Sequence, residues 1–586
     1  MRLAPLRLLG LTVAVLTPTQ AWNICRCRIG EPCWPSQAEW RALNASVNGN
    51  LIAVRPVGDV CYGSAYDAAK CEEVRSRTND AAWRVAQPGA LSWTNWEALP
   101  DLDEDCYIDR PRNHTCKQGR IPPYAVMART PRDIQEALRF AKRRNIHVVV
   151  RNTGHDMFGK SGGPSALQIN LSKLKGVQYQ EHFVPRGGSQ SLGKAATLAA
   201  GTMGAEFAED ARKHGYVPLI GLAPTVGVAG GFLQGGGIST LTAVFGLAAD
   251  HALEFEVITA QGDLVVANEF QNQDLFWALK GGGGGTFGIA IRSTVQVFDD
   301  FPALTYVAAM SVPDAFHNGS AADCRALWDV VEQLIRLIPR LHDKNVAANF
   351  GMTHMPDDSA MVTMQMVFAN RTTAQAKDDA LADLYAVLRE HEIPYNATSN
   401  VLTGYSQGLQ RPTDRTGWAD YDGSVLLSRR FLSKPNAPSR MVEVMSQVKL
   451  GVGHSFEIDM LGGRVLDKNQ RGSALHPSWR ESLALLIIHM NLSPSPTPEM
   501  QRQAQVHLTN VHMPLFRSIE GDPQMGSYSN AADPYEPHFQ QAFWGANYPR
   551  LAQVKRLWDR DEVFVSRTTV GSEGWDVEGL CRTRAG

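Results

Sequence analysis

Five consecutive glycines, Gly281 to Gly285, constrain this chain more than any other stretch of it. A backbone without Cβ atoms is entropically costly to fix, and it suits places where the chain must turn tightly or let another backbone or a ligand come close. Two further glycine-bearing stretches, Asn152-Thr-Gly-His-Asp-Met-Phe-Gly159 and Ala223 to Gly237, share the same region. Each lies between elements that the pattern predicts to be regular: buried strands at His147-Val-Val-Val-Arg151 and Ala166-Leu-Gln-Ile-Asn170, a helix at Asp274 to Leu279 and an alternating strand at Ile289 to Phe298. Missing side chains and nests of backbone N–H groups suit a pyrophosphate, so the three loops predict a large dinucleotide.

Three motifs fail in context. Gly154-His-Asp-Met-Phe-Gly159-Lys160-Ser161 matches the phosphate loop of nucleotide triphosphatases, but that loop must open into a helix, and Gly162-Gly-Pro164 leads into a strand. Gly283-x-Gly285-x-x-Gly288 matches the dinucleotide fingerprint with the order of elements reversed: helix, loop, strand. Gly404-Tyr-Ser406-Gln-Gly408 matches the nucleophile elbow of serine hydrolases, with Asp459 and His476 in plausible chain order, but Leu409 to Arg415 makes a poor helix start. A secreted hydrolase using Ser406 is the rival from a different chemical class.

The run Arg151-Asn-Thr-Gly-His155-Asp, the segment Ala223-Pro-Thr-Val-Gly-Val-Ala-Gly-Gly-Phe-Leu-Gln-Gly-Gly-Gly237 and the segment Phe276-Trp-Ala-Leu-Lys-Gly-Gly-Gly-Gly-Gly-Thr-Phe-Gly288 resemble the FAD-binding domain of the vanillyl-alcohol-oxidase-type flavoproteins. The resemblance is closest to the berberine-bridge-enzyme-like branch and its secreted fungal oxidases, some of which act in secondary metabolism. It spans Ile121 to about Asp300 and returns at Phe543-Trp-Gly-Ala-Asn547-Tyr548 and on through Lys555 to Trp558-Asp.

It implies an α+β fold: a two-lobed FAD-binding domain of the vanillyl-alcohol-oxidase type, plus an α+β substrate domain with an antiparallel sheet and the flavin at the interface. His155 takes the position that bonds covalently to the flavin C8-methyl carbon. Ala223 stands where doubly tethered members have Cys, so a single bond is predicted. Ile238 stands where many relatives carry His. Arg151, Asn152, Thr153, Gly154 and Asp156 are implied to cradle the pyrophosphate, and Thr225, Val226, Gly227, Gly230, Gly231, Gly235, Gly236 and Gly237 to follow the flavin. Ile289 offers its backbone, and Asn547 and Tyr548 close the site.

The expected organisation is a signal peptide at 1–21, a Cys-rich segment at 22–120 joined to an FAD domain at 121–300, a substrate domain at 301–535 and a returning C-terminal segment at 536–586. After Phe301 the pattern turns to amphipathic helices near Asp323 to Leu341 and Ala374 to Glu390 and to strands such as Met361 to Phe368. Arg2 and Arg7, the uncharged run Leu8 to Leu16 and the small residues at Thr19-Gln20-Ala21 read as a secretory leader, and the run is far short of the roughly 20 residues that span a bilayer. No membrane span is expected. Seven of nine cysteines fall in the first fifth of the chain, where disulfides are predicted in preference to metal because no His or Cys pair follows at zinc spacing. The odd count leaves at least one thiol free and the pairing open. N-glycans are possible at Asn44, Asn113, Asn170, Asn318, Asn370, Asn396 and Asn491. A formal charge of −2 gives no basic excess for nucleic acid.

Flavin oxidation needs a group that removes the substrate O–H or N–H proton as hydride leaves carbon. Tyr548, Asp459 and His476 form the shortlist. With no nicotinamide site and an oxidising compartment, molecular oxygen is the expected acceptor and hydrogen peroxide the product. The expected substrate is a small secondary-metabolite alcohol, amine or enol, with a sugar or oligosaccharide as the alternative.

Overall fold

The computed structural model describes residues 25–342, 346–409, 414, 416–467 and 472–583. The predicted leader, Met1 to Ala21, lies outside the described residues.

Strands β1 (Leu51–Ala53), β2 (Tyr124–Met127), β3 (His147–Arg151) and β4 (Ala166–Asn170) form a sheet in the order β1-β2-β4-β3, with β2, β4 and β3 parallel. The helix Pro131–Arg144 carries the chain from β2 back to the start of β3, leaving room for β4 between these two parallel strands. Its first turn is fixed locally, since Thr130 and Asp133 each accept the other's backbone N–H, and its buried face carries Ile134, Ala137, Leu138 and Ala141 at helical spacing. Strand β1 comes from the Cys-rich segment and pairs antiparallel with β2, which joins that segment to this lobe.

A second sheet is antiparallel, in the order β5 (Val177–Gln180), β6 (Ala195–Ala199), β10 (Ile289–Gln296), β8 (Ala252–Ile258), β9 (Leu264–Asn268). The predicted strand Ile289 to Phe298 divides in two, because β11 (Phe298–Asp299) leaves this sheet to pair with β7 (Tyr216–Val217). The third sheet has seven strands, all paired antiparallel. They are β12 (Ala303–Val312), β13 (Val346–His354), β14 (Ala360–Ala369), β15 (Tyr395–Leu402), β16 (Asp420–Ser428), β17 (Ser455–Met460) and β18 (Ser482–Asn491). Their order is β15-β12-β14-β13-β17-β18-β16. Helices Arg325–His342, Gln375–Glu390, Ala437–Met445 and Met513–Glu520 pack together on this lobe, where Phe516 meets Phe456 of β17.

The cysteine pairing is Cys27–Cys33, Cys61–Cys71, Cys106–Cys116 and Cys25–Cys581, and Cys324 is free. Cys25–Cys581 ties the two ends of the chain, 556 residues apart in sequence, and so constrains a very long loop of the unfolded chain.

One glycan position is corrected by burial. Asn170 closes β4 with no exposed surface; its amide donates to Gln168 Oε1 at 2.9 Å and its carbonyl accepts the Ser172 N–H at 3.0 Å. Peptide mapping of protein made in a glycosylating host is expected to find Asn170 unmodified, whereas Asn113, Asn318, Asn370 and Asn396 are exposed. A glycan at Asn170 would contradict this placement.

Candidate active site

The three glycine-bearing loops converge backbone to backbone. A Cβ on Gly230 would lie 2.1 Å from Asn152 Nδ2 and displace that side chain, and one on Gly284 would lie 2.8 Å from Gly231 Cα, where backbone meets backbone and no Cβ fits. The carbonyl of Gln234 accepts the N–H groups of Gly281 and Gly283 at 2.9 and 3.0 Å. The returning segment pins the glycine run at both ends: Trp544 Nε1 donates to Gly281 O at 3.0 Å and Lys555 Nζ to Thr286 O at 2.7 Å.

A cavity of about 430 Å³ opens between these loops and the seven-stranded sheet. Asn152, Thr153, Gly154, His155 and Asp156 line it from the first loop; Val226, Gly227, Gly230 and Gly231 from the second; Gly283 to Thr286 and Ile289 from the third. The Asp156 carboxylate folds back to accept the N–H groups of Phe158 and Ser161 at 3.0 and 2.6 Å, which sets the curve of the first loop. His155 Nε2 lies 3.3 Å from Asp414 Oδ2, and the ring meets Trp93 edge-on. Burial pushes the Lys160 ammonium down to about 8 on the same wall, where it lies 4.5 Å from the Phe158 ring centre.

The opposite wall is charged because of strand alternation. On β17, Phe456, Ile458 and Met460 are buried in the hydrophobic core, while the alternate residues Glu457 and Asp459 line the cavity. Asp420 and Asp422 of β16 and His489 of β18 join them. His489 is held between two carboxylates, Nδ1 2.8 Å from Asp422 and Nε2 3.0 Å from Glu457. Burial opposes its charge, yet Asp422 and Glu457 outweigh it and keep the ring well above the ordinary imidazole range. Asn349 of β13 donates to Glu457 Oε1 at 2.5 Å and to Asp459 Oδ1 at 2.7 Å. Burial also raises Glu457, but His489 and Asn349 outweigh it and leave it below its usual value. Asp459 goes the other way: burial and the charge of Glu457 push it up to about 8. Asp420 is raised well above the carboxylate range by burial and by Asp422.

Several sequence expectations are corrected by this geometry. Tyr548 and His476 do not line the cavity. The Tyr548 hydroxyl donates to Glu573 at 2.6 Å and accepts the Gly571 N–H, and burial with that carboxylate raises its pKa, the wrong direction for a base. His476 is enclosed beside Gly526 and Gly545, bonds Ser478 through Nδ1, and is pushed down to about 4 by burial. Of the shortlist only Asp459 lines the cavity.

Arg151 stands behind the first loop, its guanidinium donating to the carbonyls of Arg84, Gln87 and Ala90 at 2.6–2.9 Å. Thr225 donates its hydroxyl to Asp414, and Asn547 donates to Leu475 O. Gly235 packs on Asn530, Gly236 on Leu475 and Gly237 on Ala248, so these three support the second loop without lining the cavity. Ser406 sits in the turn Tyr405–Leu409 with its hydroxyl on Asp300 at 2.6 Å, not at a strand-to-helix elbow.

Sequence reasoning missed Asp422, Glu457 and His489, and also Tyr528, whose hydroxyl accepts from Asn530 at 3.1 Å on the cavity wall. A signal was present for the first three. Glu457 alternates with the apolar residues of β17, His489 interrupts the apolar run of β18, and Asp422 follows Asp420 at strand spacing in β16.

Comparison with known proteins agrees with this geometry. Residues 122–268 match the family model described as FAD binding domain, and residues 527–571 the one described as berberine and berberine like. Two VAO-type flavoproteins of Myceliophthora thermophila C1 superpose with TM-scores of 0.86 and 0.83, at 27% and 29% identity, covering 96% and 95% of this chain and all of theirs. The molecule therefore has the VAO-type flavoprotein fold. A flavin-dependent oxygenase of Aspergillus ustus is 41% identical over 93% of this chain and 98% of its own length. An FAD-linked oxidoreductase of Malbranchea aurantiaca is 39% identical over 99% of this chain and 98% of its own. The chain belongs to the berberine-bridge-enzyme-like FAD-linked oxidoreductases and is an enzyme of that class.

The residues present fit FAD. Among the described residues, both amide atoms of Asn152 and the side-chain oxygen of Gln234 are buried without a partner, and both residues line the cavity, where a ligand's polar atoms would satisfy them. The glycine cradle admits close approach of backbone N–H groups.

Proposed function

We propose that this protein is a secreted oxidase that removes hydride from carbon of a small secondary-metabolite alcohol, amine or enol, with molecular oxygen as final acceptor and hydrogen peroxide as product. The observation that carries the reading is the charged face of the seven-stranded sheet opposite the three glycine loops, in a single cavity. Asn152, Thr153, Gly154, Val226, Gly227, Gly230 and Gly231 would hold FAD by backbone and amide contacts, and His155 would tether it by one covalent bond, Ala223 offering no second nucleophile. Bound FAD supplies a two-electron acceptor beside the charged wall.

Asp459 takes the substrate proton. Its raised carboxyl is poised near neutrality, whereas His489 is tied up between Asp422 and Glu457. Asn349 orients both Glu457 and Asp459 through one amide nitrogen. Four disulfides support the secretory assignment, and no helix among the described residues is long and apolar enough to cross a membrane. Oxygen as acceptor is supported by that compartment and by the reversed context of the Gly283 motif.

The test is the visible spectrum before and after acid precipitation. A yellow protein whose pellet stays yellow is expected, and His155→Ala is expected to bind flavin that the acid releases completely. A colourless protein, or covalent flavin retained by His155→Ala, would overturn the reading. Peroxide release on an alcohol, amine and enol panel then tests the substrate class; no release with any of them would overturn that assignment.

A further inference from the structure

Asp414 is a largely enclosed carboxylate on the cavity wall. It precedes β16 and reaches the first loop across the edge of the cavity, with its side chain 13% exposed. One oxygen, Oδ2, accepts the Thr225 hydroxyl at 2.8 Å and lies 3.3 Å from His155 Nε2. The other, Oδ1, is buried with no hydrogen-bond partner among the described residues, and the residue lines the cavity. Thr225 fixes the carboxylate from the second loop, so a group from the seven-stranded lobe is locked onto the one imidazole of the first loop.

We infer that Asp414 is a positioning residue for covalent flavin attachment, selecting the attacking nitrogen of His155. This rests on the reading of His155 as the tether. An anionic oxygen beside Nε2 favours the tautomer with hydrogen on Nε2, which leaves the lone pair on Nδ1. Among the described residues Nδ1 makes no hydrogen bond.

The step balances as follows: a bond forms between Nδ1 and the C8-methyl carbon, one C–H bond of that methyl group breaks, and Asp414 receives the proton from Nε2 as the ring becomes substituted. The flavin is reduced by the two electrons of the broken C–H bond and ends with two added protons. One is the methyl proton and the other is relayed from Asp414. Molecular oxygen reoxidises it with release of hydrogen peroxide. The other charged groups near His155 are Asp156, whose carboxylate is committed to its own loop's N–H groups, and Lys160 on the same wall. Neither replaces Asp414 at Nε2.

The experiment is flavin attachment in the full-length protein, read by in-gel fluorescence after denaturation and divided by total bound flavin. Asp414→Asn is expected to bind FAD but lose covalent attachment at least tenfold, and Asp414→Glu to recover part of it. Undiminished attachment in Asp414→Asn would overturn the inference. The wild-type flavopeptide supplies a readout that needs no variant to fold: NMR is expected to place the flavin on Nδ1, and linkage through Nε2 would overturn the inference. Failure of the underlying reading is distinguishable, because His155→Ala would then retain covalent flavin whatever Asp414→Asn does.

Discussion

Asp459→Asn is expected to slow reduction of the bound flavin by substrate by about 10²- to 10⁴-fold, the usual contribution of a positioned general base, while leaving the flavin spectrum intact. The amide keeps the shape and can still meet Asn349, so a folding defect is not the expected result. The pH dependence follows from the direction of the shift. Burial and Glu457 raise the Asp459 carboxyl to about 8, so it carries a proton below that pH and accepts one above it. The wild-type rate is therefore expected to climb as pH rises through about 8 and then level, and the residual rate of Asp459→Asn to lack that rise. Rapid-mixing absorbance at the flavin band measures both. An undiminished rate in the variant would remove Asp459 from the mechanism.

Lys555→Met is expected to destabilise the protein by about 3–5 kcal/mol, the range for removing one partner of a buried ion pair. Lys555 Nζ donates to Asp559 Oδ2 at 2.7 Å, to Thr286 O at 2.7 Å and to Phe564 O at 2.6 Å, and both charged side chains are almost wholly enclosed. Methionine fills the space but leaves the Asp559 charge with only the backbone N–H groups of Val563 and Phe564, and two carbonyls without their donor. Because Thr286 follows the glycine run directly, loss of flavin is expected to accompany the loss of stability. Denaturant titration with flavin fluorescence follows the two together. The double variant Lys555→Met, Asp559→Asn is expected to recover part of the loss, since it removes the stranded charge; a double variant no better than the single one would place the cost in packing instead.

Features with a local cause were legible in the sequence. Thr130 and Asp133 reach only neighbouring amides, so the start of Pro131–Arg144 is fixed by four residues. Strand β14 and the helices Arg325–His342 and Gln375–Glu390 lie where apolar periodicity predicts them, because burying one face requires that period. The three glycine loops are likewise written in the chain, since a backbone approach as close as that of Gly284 to Gly231 leaves no room for a Cβ. Asp459 was readable as a candidate, but not as the one member of its shortlist that lines the cavity.

The rest depends on contacts between residues far apart in sequence. Tyr548 belongs to the segment that carries the family resemblance, yet its hydroxyl is engaged as a hydrogen-bond donor by a carboxylate 25 residues later and holds its proton more tightly for it. Arg151 carries the charge expected of a phosphate ligand but turns back toward three carbonyls of the Cys-rich segment. The partner of Cys25 lies 556 residues away, and spacing alone cannot choose it. His489 has its pKa raised only because β16 and β17 flank β18 on either side and bring Asp422 and Glu457 onto its two nitrogens. The sequence by itself determined which backbone stretches can approach a dinucleotide, since absent side chains are a property of the chain. Only the tertiary structure decided which charges surround the cavity and in what protonation state, because burial and neighbouring charge, the forces that set them, exist only once distant strands have paired.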